Sequence, residues 1–111
     1  MNYQQYLLVK LAEEASEVAQ MAIKCSLFGY DSVDPREDTG ETNALKLYKE
    51  TLDFSAVIDE LDELDGVIDI DFNPDDYIEM KRLKLQHYYD VAQNHTLSEL
   101  KKTQQFNNTK D

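Results

Sequence analysis

The sequence predicts an all-α protein: a helical bundle of three main helices that dimerisation completes as a four-helix core. Three glycines and two prolines among 111 residues leave long segments without helix breakers. Apolar residues in the first of these segments recur at steps of three and four, the spacing of an amphipathic helix; they are Leu8, Leu11, Ala12, Ala15, Val18, Ala19, Ala22 and Cys25. No series of short strands separated by turn residues competes with this pattern.

The first predicted helix covers residues 3–28 and is stopped by Gly29. A loop follows over residues 29–43, which collect Gly, Pro, Asp, Ser and Thr without periodicity, and it is longer than most connections in compact domains. Cys25 lies among apolar residues and has no second cysteine to pair with, so we expect it to be a buried thiol.

The second predicted helix runs from about residue 44 to 65. Asn43 is a plausible N-cap for it, because its short side chain can accept a hydrogen bond from the first turn. Gly66 stands where a left-handed C-terminal cap is favoured.

The third predicted helix begins after residues 67–72, VIDIDF, which fit an extended segment. Asn73 is its N-cap and Pro74 its first residue, and the helix is expected to end near Asn94. Residues 1–95 then form the only domain, because a chain this short has no room for two cores.

Residues 96–111 are predicted to be a short capped helix and a polar, partly disordered tail. They begin with the capping-box pattern TLSE and end in QQFNNTKD.

A formal net charge of −12 and a pI near 4.4 argue against binding to nucleic acid, which relies on clustered basic side chains. If an anionic ligand binds, a divalent cation is the natural counter-charge. No apolar run approaches the roughly 20 residues that span a bilayer, and residues 1–10 lack the features of a signal peptide. We therefore expect a cytoplasmic protein without membrane partners.

Two pairs of acids lie three residues apart on predicted helices, which places the members of each pair on one face. They are Glu14 with Glu17, and Glu50 with Asp53. Glu50 falls in the middle of an apolar arc, where an unpaired charge is expensive; the arc is formed by Leu47, Phe54, Val57 and Leu61. If the two helices pack antiparallel, the four carboxylates converge and repel one another unless a cation binds.

Oxygen-only ligands favour a hard cation such as Mg²⁺, with Mn²⁺ as an alternative. Zinc is disfavoured, because no cysteine or histidine lies in these clusters; His87 and His95 are expected to be ordinary surface or partly packed residues.

The sequence EEASE at residues 13–17 resembles the E-E-x-x-E motif of MazG-like nucleoside triphosphate pyrophosphohydrolases, and ETLD at residues 50–53 resembles their following E-x-x-D. The similarity covers about residues 5–65 and extends more weakly to KRLKLQHY in the third helix. The gap between the two motifs, residues 18–49, is longer than is usual in the family, so the resemblance extends to the helix faces and not to the conformation of the loop.

The resemblance implies Mg²⁺-dependent hydrolysis of nucleoside triphosphates, with deoxynucleoside triphosphates as first candidates, to the monophosphate and pyrophosphate. By position, it implies that the metal ligands are Glu14, Glu17, Glu50 and Asp53. Glu13 is then the candidate catalytic residue that orients or deprotonates the attacking water.

Five lysines are near enough in sequence to reach phosphate oxygens: Lys24, Lys46, Lys49, Lys81 and Lys84. Lys81 and Lys84, one helical turn apart, are the preferred pair, and Asn43 is a candidate to hydrogen-bond a base or sugar. Most helical lysines are simply surface residues, and the N-cap role explains Asn43 equally well.

The second helix also carries apolar residues opposite its main arc, which predicts a homodimer, with a tetramer as an alternative; they are Leu45, Tyr48 and Leu52. Two other functions stay open. One is a non-catalytic acidic interaction protein that mimics nucleic acid. The other is a degenerate relative that binds nucleotide or metal without turnover.

Overall fold

A computed structural model of the protein describes residues 1–64 and 71–108, and side chains within 1–64, 71–95 and 101–102. It contains three helices: α1 (Tyr3–Phe28), α2 (Asn43–Asp62) and α3 (Pro74–Asn108). The described residues form no strand, and their only β-type pairing is an isolated antiparallel bridge between Val33 and Thr42. The predicted all-α class with three helices is confirmed.

Both ends of α1 are fixed by local hydrogen bonds. The Asn2 side chain accepts a hydrogen bond from the Gln5 backbone N–H at 2.8 Å, and the Gln5 side chain accepts one from the Asn2 N–H at 2.9 Å. This reciprocal capping box satisfies donors that the first turn leaves without partners. At the other end Gly29 has φ of 92°, which a side chain would disfavour, and its N–H bonds the Cys25 carbonyl at 2.9 Å. Gly29 stops the helix as predicted.

The ends of α2 differ from those expected. Thr42, and not Asn43, is the N-cap, because its hydroxyl accepts a hydrogen bond from the Leu45 N–H at 3.2 Å. Asn43 is the first helical residue. Its side-chain amide does not cap the helix and instead donates a hydrogen bond to the Gly29 carbonyl at 3.2 Å. The helix ends at Asp62 with Glu63 as its C-cap, earlier than predicted; Gly66 lies outside the described residues.

Helices α1 and α2 form an antiparallel hairpin. This is the packing under which the two pairs of acids were expected to converge. The Tyr3 hydroxyl in the first turn of α1 donates to the Glu60 carboxylate near the end of α2 at 3.0 Å. Among the described residues of the hairpin, four apolar side chains are buried: Leu7, Met21, Cys25 and Leu61. Cys25 is therefore the buried thiol that the sequence predicted, and its Sγ lies 3.5 Å from the Asn43 carbonyl.

The loop between α1 and α2 is tied to the start of α2 by backbone hydrogen bonds. The Asn43 N–H bonds the Ser32 carbonyl at 2.9 Å, and the Ala44 N–H bonds the Tyr30 carbonyl at 3.0 Å. Together with the bridge between Val33 and Thr42, these bonds give the loop a defined conformation.

The chain divides into two compact units, residues 1–70 and residues 71–111, which are described separately. In the second unit, the Asn73 side chain accepts hydrogen bonds from the N–H groups of Asp75 and Asp76 at 3.0 and 3.4 Å, so the predicted start of α3 is confirmed. Of the segment predicted to be extended, residues 67–70 lie outside the description, and Phe72 belongs to no helix or strand.

The end of α3 differs from the prediction. The backbone stays helical through residue 95 to Asn108, so no new helix starts at residue 96. The sequence from residue 75 to 108 contains no Gly or Pro, and nothing in it forces the helix to stop near Asn94. Within the described part of the chain, no helix is both long enough and apolar enough to cross a membrane.

Replacing Leu61 tests the hairpin core, because this side chain is 1% exposed, the most buried in the core. Leu61→Ala is expected to lower the free energy of unfolding by about 2–5 kcal/mol, through lost burial and the cavity left behind. Leu27→Ala is the control, since Leu27 is 70% exposed and its loss should cost less than about 0.5 kcal/mol. Urea denaturation of both variants measures the difference, and equal costs would contradict this packing.

Candidate metal centre

Three carboxylates from two helices meet on the packed side of the hairpin. Glu14 comes from α1, and Glu50 and Asp53 come from one face of α2. One carboxylate oxygen from each lies within 4.8 Å of those of the other two. This spacing is short enough for a single cation to contact all three side chains.

Two of these acids are partly withdrawn from water. Glu14 and Glu50 are half-buried, whereas Asp53 is exposed. The Oε2 atoms of Glu14 and Glu50 are shielded from solvent and have no hydrogen-bond partner. Buried carboxylate oxygens without partners are destabilising and uncommon in folded proteins. A ligand that contacts these two atoms would remove this cost.

The acidic cluster carries negative charge that no neighbouring base balances in the described part of the chain. Burial raises the pKa of Glu14 above its ordinary value, and the charges of Glu17 and Asp53 raise it further. Burial also raises the pKa of Glu50, with the neighbouring Glu17 carboxylate as the next cause. Among the described residues, none of these four acids forms a salt bridge with a lysine or arginine. No base among the described residues therefore neutralises the cluster.

Glu17, the fourth predicted ligand, is exposed and lies beside the cluster, close enough to influence Glu14 and Glu50. It does not belong to the group of three whose oxygens lie within 4.8 Å. Its role as a ligand stays a prediction.

Glu13, the predicted catalytic residue, lies on the exposed side of α1. Its carboxylate pairs with the Lys10 ammonium at 2.9 Å, one helical turn earlier. The structure does not bring Glu13 into the three-carboxylate group, so its catalytic role also stays a prediction.

The donor set fits the ion that the sequence suggested. All candidate ligand atoms are carboxylate oxygens, which suit Mg²⁺ or Mn²⁺. Mg²⁺ in proteins is commonly held by few carboxylates together with water, so these three side chains would be enough to hold it.

A cavity of about 310 Å³ adjoins Glu50, and we call it the lysine cavity. Its other lining residues are Met21, Lys24, Glu37, Glu41, Lys46 and Lys49. Lys46 pairs with Glu37, and Lys49 pairs with Glu41, so two acids of the loop hold two lysines of α2. Two of the three bases that line this cavity are therefore engaged with the loop.

A second cavity of about 290 Å³ lies under the loop, and we call it the loop cavity. It is lined by Lys24, Phe28, Ser32, Val33, Asp34, Pro35, Arg36, Asn43 and Lys46. The two cavities share Lys24 and Lys46.

Among the five lysines considered from the sequence, Lys24, Lys46 and Lys49 line the lysine cavity. The preferred pair, Lys81 and Lys84, lies on α3 in the other unit, where both side chains are exposed. The geometry of the first unit therefore favours lysines that the sequence analysis ranked lower.

Asn43, the candidate for base or sugar binding, is buried and lines the loop cavity. Its amide nitrogen donates to the Gly29 carbonyl, so at least one of its hydrogen-bonding groups holds the loop. Contact with a nucleotide stays a prediction for this residue.

Sequence reasoning missed the turn at Asp34. The Asp34 carboxylate accepts hydrogen bonds from the Arg36 backbone N–H at 2.9 Å and from its guanidinium at 2.8 and 3.0 Å. These bonds hold the pKa of Asp34 well below its ordinary value. The Asp-Pro-Arg order was a usable signal, since Asp before a turn commonly bonds the backbone two residues later.

No family model, no curated protein and no solved structure matches the chain.

The raised pKa of Glu14 and Glu50 predicts how pH changes the stability of the metal-free protein. Both carboxyls hold their protons to higher pH when folded than when unfolded. Their contribution to stability is therefore greatest below the unfolded pKa of about 4.3 and falls as pH rises towards the raised values. In EDTA, Glu50→Gln should raise the melting temperature at pH 7.5 by at least ~4 °C, and much less at pH 4.5.

The control for that experiment is Glu63→Gln, which removes one exposed acid from the end of the same helix. It should leave the melting temperature nearly unchanged at both pH values. Addition of Mg²⁺ at pH 7.5 should stabilise the wild type but not Glu50→Gln. A wild type that melts at the same temperature with and without Mg²⁺ or Mn²⁺ would rule out a metal centre here.

Proposed function

We propose that this protein is a Mg²⁺-dependent nucleoside triphosphate pyrophosphohydrolase that releases a monophosphate and pyrophosphate. The observation that carries the proposal is the group of three carboxylates within 4.8 Å, two of which have shielded oxygens without partners. The adjoining lysine cavity supports it, because a triphosphate needs positive charge beyond that of the metal. The motif resemblance at residues 13–17 and 50–53 gives the reaction.

In this proposal, Glu14, Glu50 and Asp53 hold the ion, and Glu17 is the fourth ligand. A divalent cation held by these residues would supply charge neutralisation for the phosphates and a lowered pKa for water beside it. Water breaks the anhydride between the α- and β-phosphates, and pyrophosphate leaves. Glu13 accepts the proton of the attacking water, which requires its carboxylate to leave the Lys10 ammonium.

The lysines of this unit would position the phosphate chain. Lys24, Lys46 and Lys49 line the cavity next to Glu50, so phosphate oxygens held there are near the metal centre. Lys81 and Lys84 remain candidates for a second contact with phosphate. Nucleoside triphosphates are cytoplasmic metabolites, and the proposal places the protein in that compartment.

An acidic protein that mimics nucleic acid accounts less well for the arrangement. Such a protein presents charge to a basic partner in exposed positions. Glu50 instead lies on the packed face of α2, with Leu61 of the same arc fully buried. A degenerate relative would keep the metal centre, and turnover is what distinguishes it from the enzyme.

Pyrophosphate release from a panel of ribo- and deoxyribonucleoside triphosphates with Mg²⁺ tests the proposal. Glu50→Gln and Asp53→Asn should each lower kcat/KM at least about 100-fold, since even indirect supports of a metal centre contribute 10–100-fold. Asp59→Asn is the matched control, because Asp59 is an exposed acid of the same helix outside the cluster. It should retain wild-type activity.

Two results would count against the enzyme. No release from any triphosphate, with Mg²⁺ or with Mn²⁺, would leave at most a binding protein. Release that Asp53→Asn and Asp59→Asn reduce equally would mean that the activity does not belong to this centre.

We also propose that the protein is a homodimer, because α2 has a second apolar face. Leu45, Tyr48 and Leu52 are exposed in the single chain although they lie along one side of the helix. Several apolar residues of α3 are exposed as well. A second copy that covers the exposed face of α2 would complete a four-helix core.

Light scattering after size-exclusion chromatography checks the assembly. The wild type should have twice the mass of the 12.9 kDa chain, or four times if two dimers associate. Tyr48→Glu should shift it towards the monomer, because a charge on the covered face would lose its solvation. Lys102→Glu, a charge change at an exposed residue of α3, is the control. A monomeric wild type at micromolar concentration would contradict the proposed dimer.

A further inference from the structure

The two cavities of the first unit share lining residues, and one of them also shares a residue with the carboxylate group. Glu50 belongs to the carboxylate group and also lines the lysine cavity. Lys24 and Lys46 line both the lysine cavity and the loop cavity. A ligand held at the carboxylates can therefore extend past two lysines into the space under the loop.

The loop cavity has the chemical character of a nucleoside site. Phe28, Val33 and Pro35 give it an apolar side, and the Phe28 ring is 67% exposed and free of other stacking partners among the described residues. Ser32 and Asn43 give it polar groups. Its volume of about 290 Å³ is close to the lower end of the roughly 300–1,000 Å³ usual for small-molecule sites.

The charge of the loop cavity is opposite to that of the protein. Its lining contains three bases, Lys24, Arg36 and Lys46, against one acid, Asp34, in a chain whose formal net charge is −12. Among the described residues, no carboxylate lies within salt-bridge distance of Lys24. An ammonium without a fixed partner is able to bind an anion.

We infer that the loop cavity binds the nucleoside half of a nucleotide, with its base against Phe28 and its phosphates at Lys24 and Lys46. This inference rests on the proposed function and assigns the substrate-binding residues of the same site. The loop between α1 and α2 is then the part of the protein that contacts the base and sugar.

Lys46 has to change partners when the nucleotide binds. Its ammonium pairs with Glu37 in the nucleotide-free protein, and a phosphate oxygen replaces that carboxylate. Glu37 lies in the loop and has no other basic partner among the described residues, so its release frees one contact between loop and α2. Lys24 needs no such exchange and supplies the first contact.

The test uses the full-length protein in EDTA, so that no turnover and no metal contribute. The four deoxynucleoside monophosphates, the corresponding deoxynucleosides and inorganic pyrophosphate are titrated separately, with backbone amide chemical shifts as the readout. At least one monophosphate should shift the amides of residues 30–34, of Arg36 and of Asn43. Pyrophosphate alone should leave residues 30–34 unchanged.

Two substitutions distinguish the base contact from the phosphate contact. Phe28→Ala should weaken monophosphate binding roughly tenfold through loss of stacking, and Leu27→Ala, the exposed neighbour outside the cavity, should not. Lys24→Gln should weaken binding of the monophosphate but leave binding of the deoxynucleoside unchanged.

The inference is overturned if every monophosphate shifts amides only outside the loop, or if Phe28→Ala and Leu27→Ala bind alike. It is also overturned if pyrophosphate shifts the same loop amides as the nucleotides do, because the cavity is then a phosphate site only. Pyrophosphate release with binding elsewhere would leave the proposed enzyme intact and remove only this cavity. Monophosphate binding at the loop without any triphosphate hydrolysis would support this cavity and contradict the proposed enzyme.

Discussion

Repulsion among carboxylates opposes the packing of α1 against α2, and the other features of this hairpin have to accommodate it. The hairpin buries few apolar side chains, and Glu14 and Glu50 take up part of the same interface. Hydrophobic burial must therefore hold together a surface that also contains unpaired charge. Local destabilisation of this kind is found at functional sites of proteins. A cation that binds only the folded chain would offset it by stabilising the folded state. If the proposed cation binds, its binding therefore stabilises the folded hairpin.

The loop supplies carboxylates that hold two lysines of α2 close to the acidic cluster. Lysines of α2 are spaced by three residues, and Glu37 and Glu41 of the loop bind Lys46 and Lys49. These ion pairs are weak individually, because partly exposed pairs are screened by solvent. They fix side-chain positions at low energetic cost and can be exchanged for another anion. The loop is thus both part of the scaffold and a competitor for the bases beside the centre.

The sequence was sufficient for the features that follow from periodicity. Spacing by three on helices placed Glu50 and Asp53 on one face, and the apolar arc around Glu50 identified the face that packs. Gly29 and Asn73 were recognised correctly as helix boundaries because their local chemistry has few alternatives.

The sequence was not sufficient where two local solutions have similar energies or where distant segments meet. Thr42 and Asn43 are both good N-caps, and the choice depends on the loop carbonyl that Asn43 binds. The end of α3 could not be placed, because a polar helix without Gly or Pro has no local stop signal. The cavities depend on how the loop folds back on α2, which no periodicity records.

Thr42 fixes one end of the loop tip, and this determines how the loop can vary in length. Its side chain caps α2, and its backbone pairs with Val33, so the two ends of the loop tip meet at a fixed point. Residues 34–41 lie between these paired positions and can lengthen or shorten with only a small entropic cost of closure. The helical register that carries Glu50 and Asp53 does not depend on the length of this tip. If the loop contacts a ligand as proposed, insertions and deletions there would change the ligand preference and leave the carboxylate geometry unchanged.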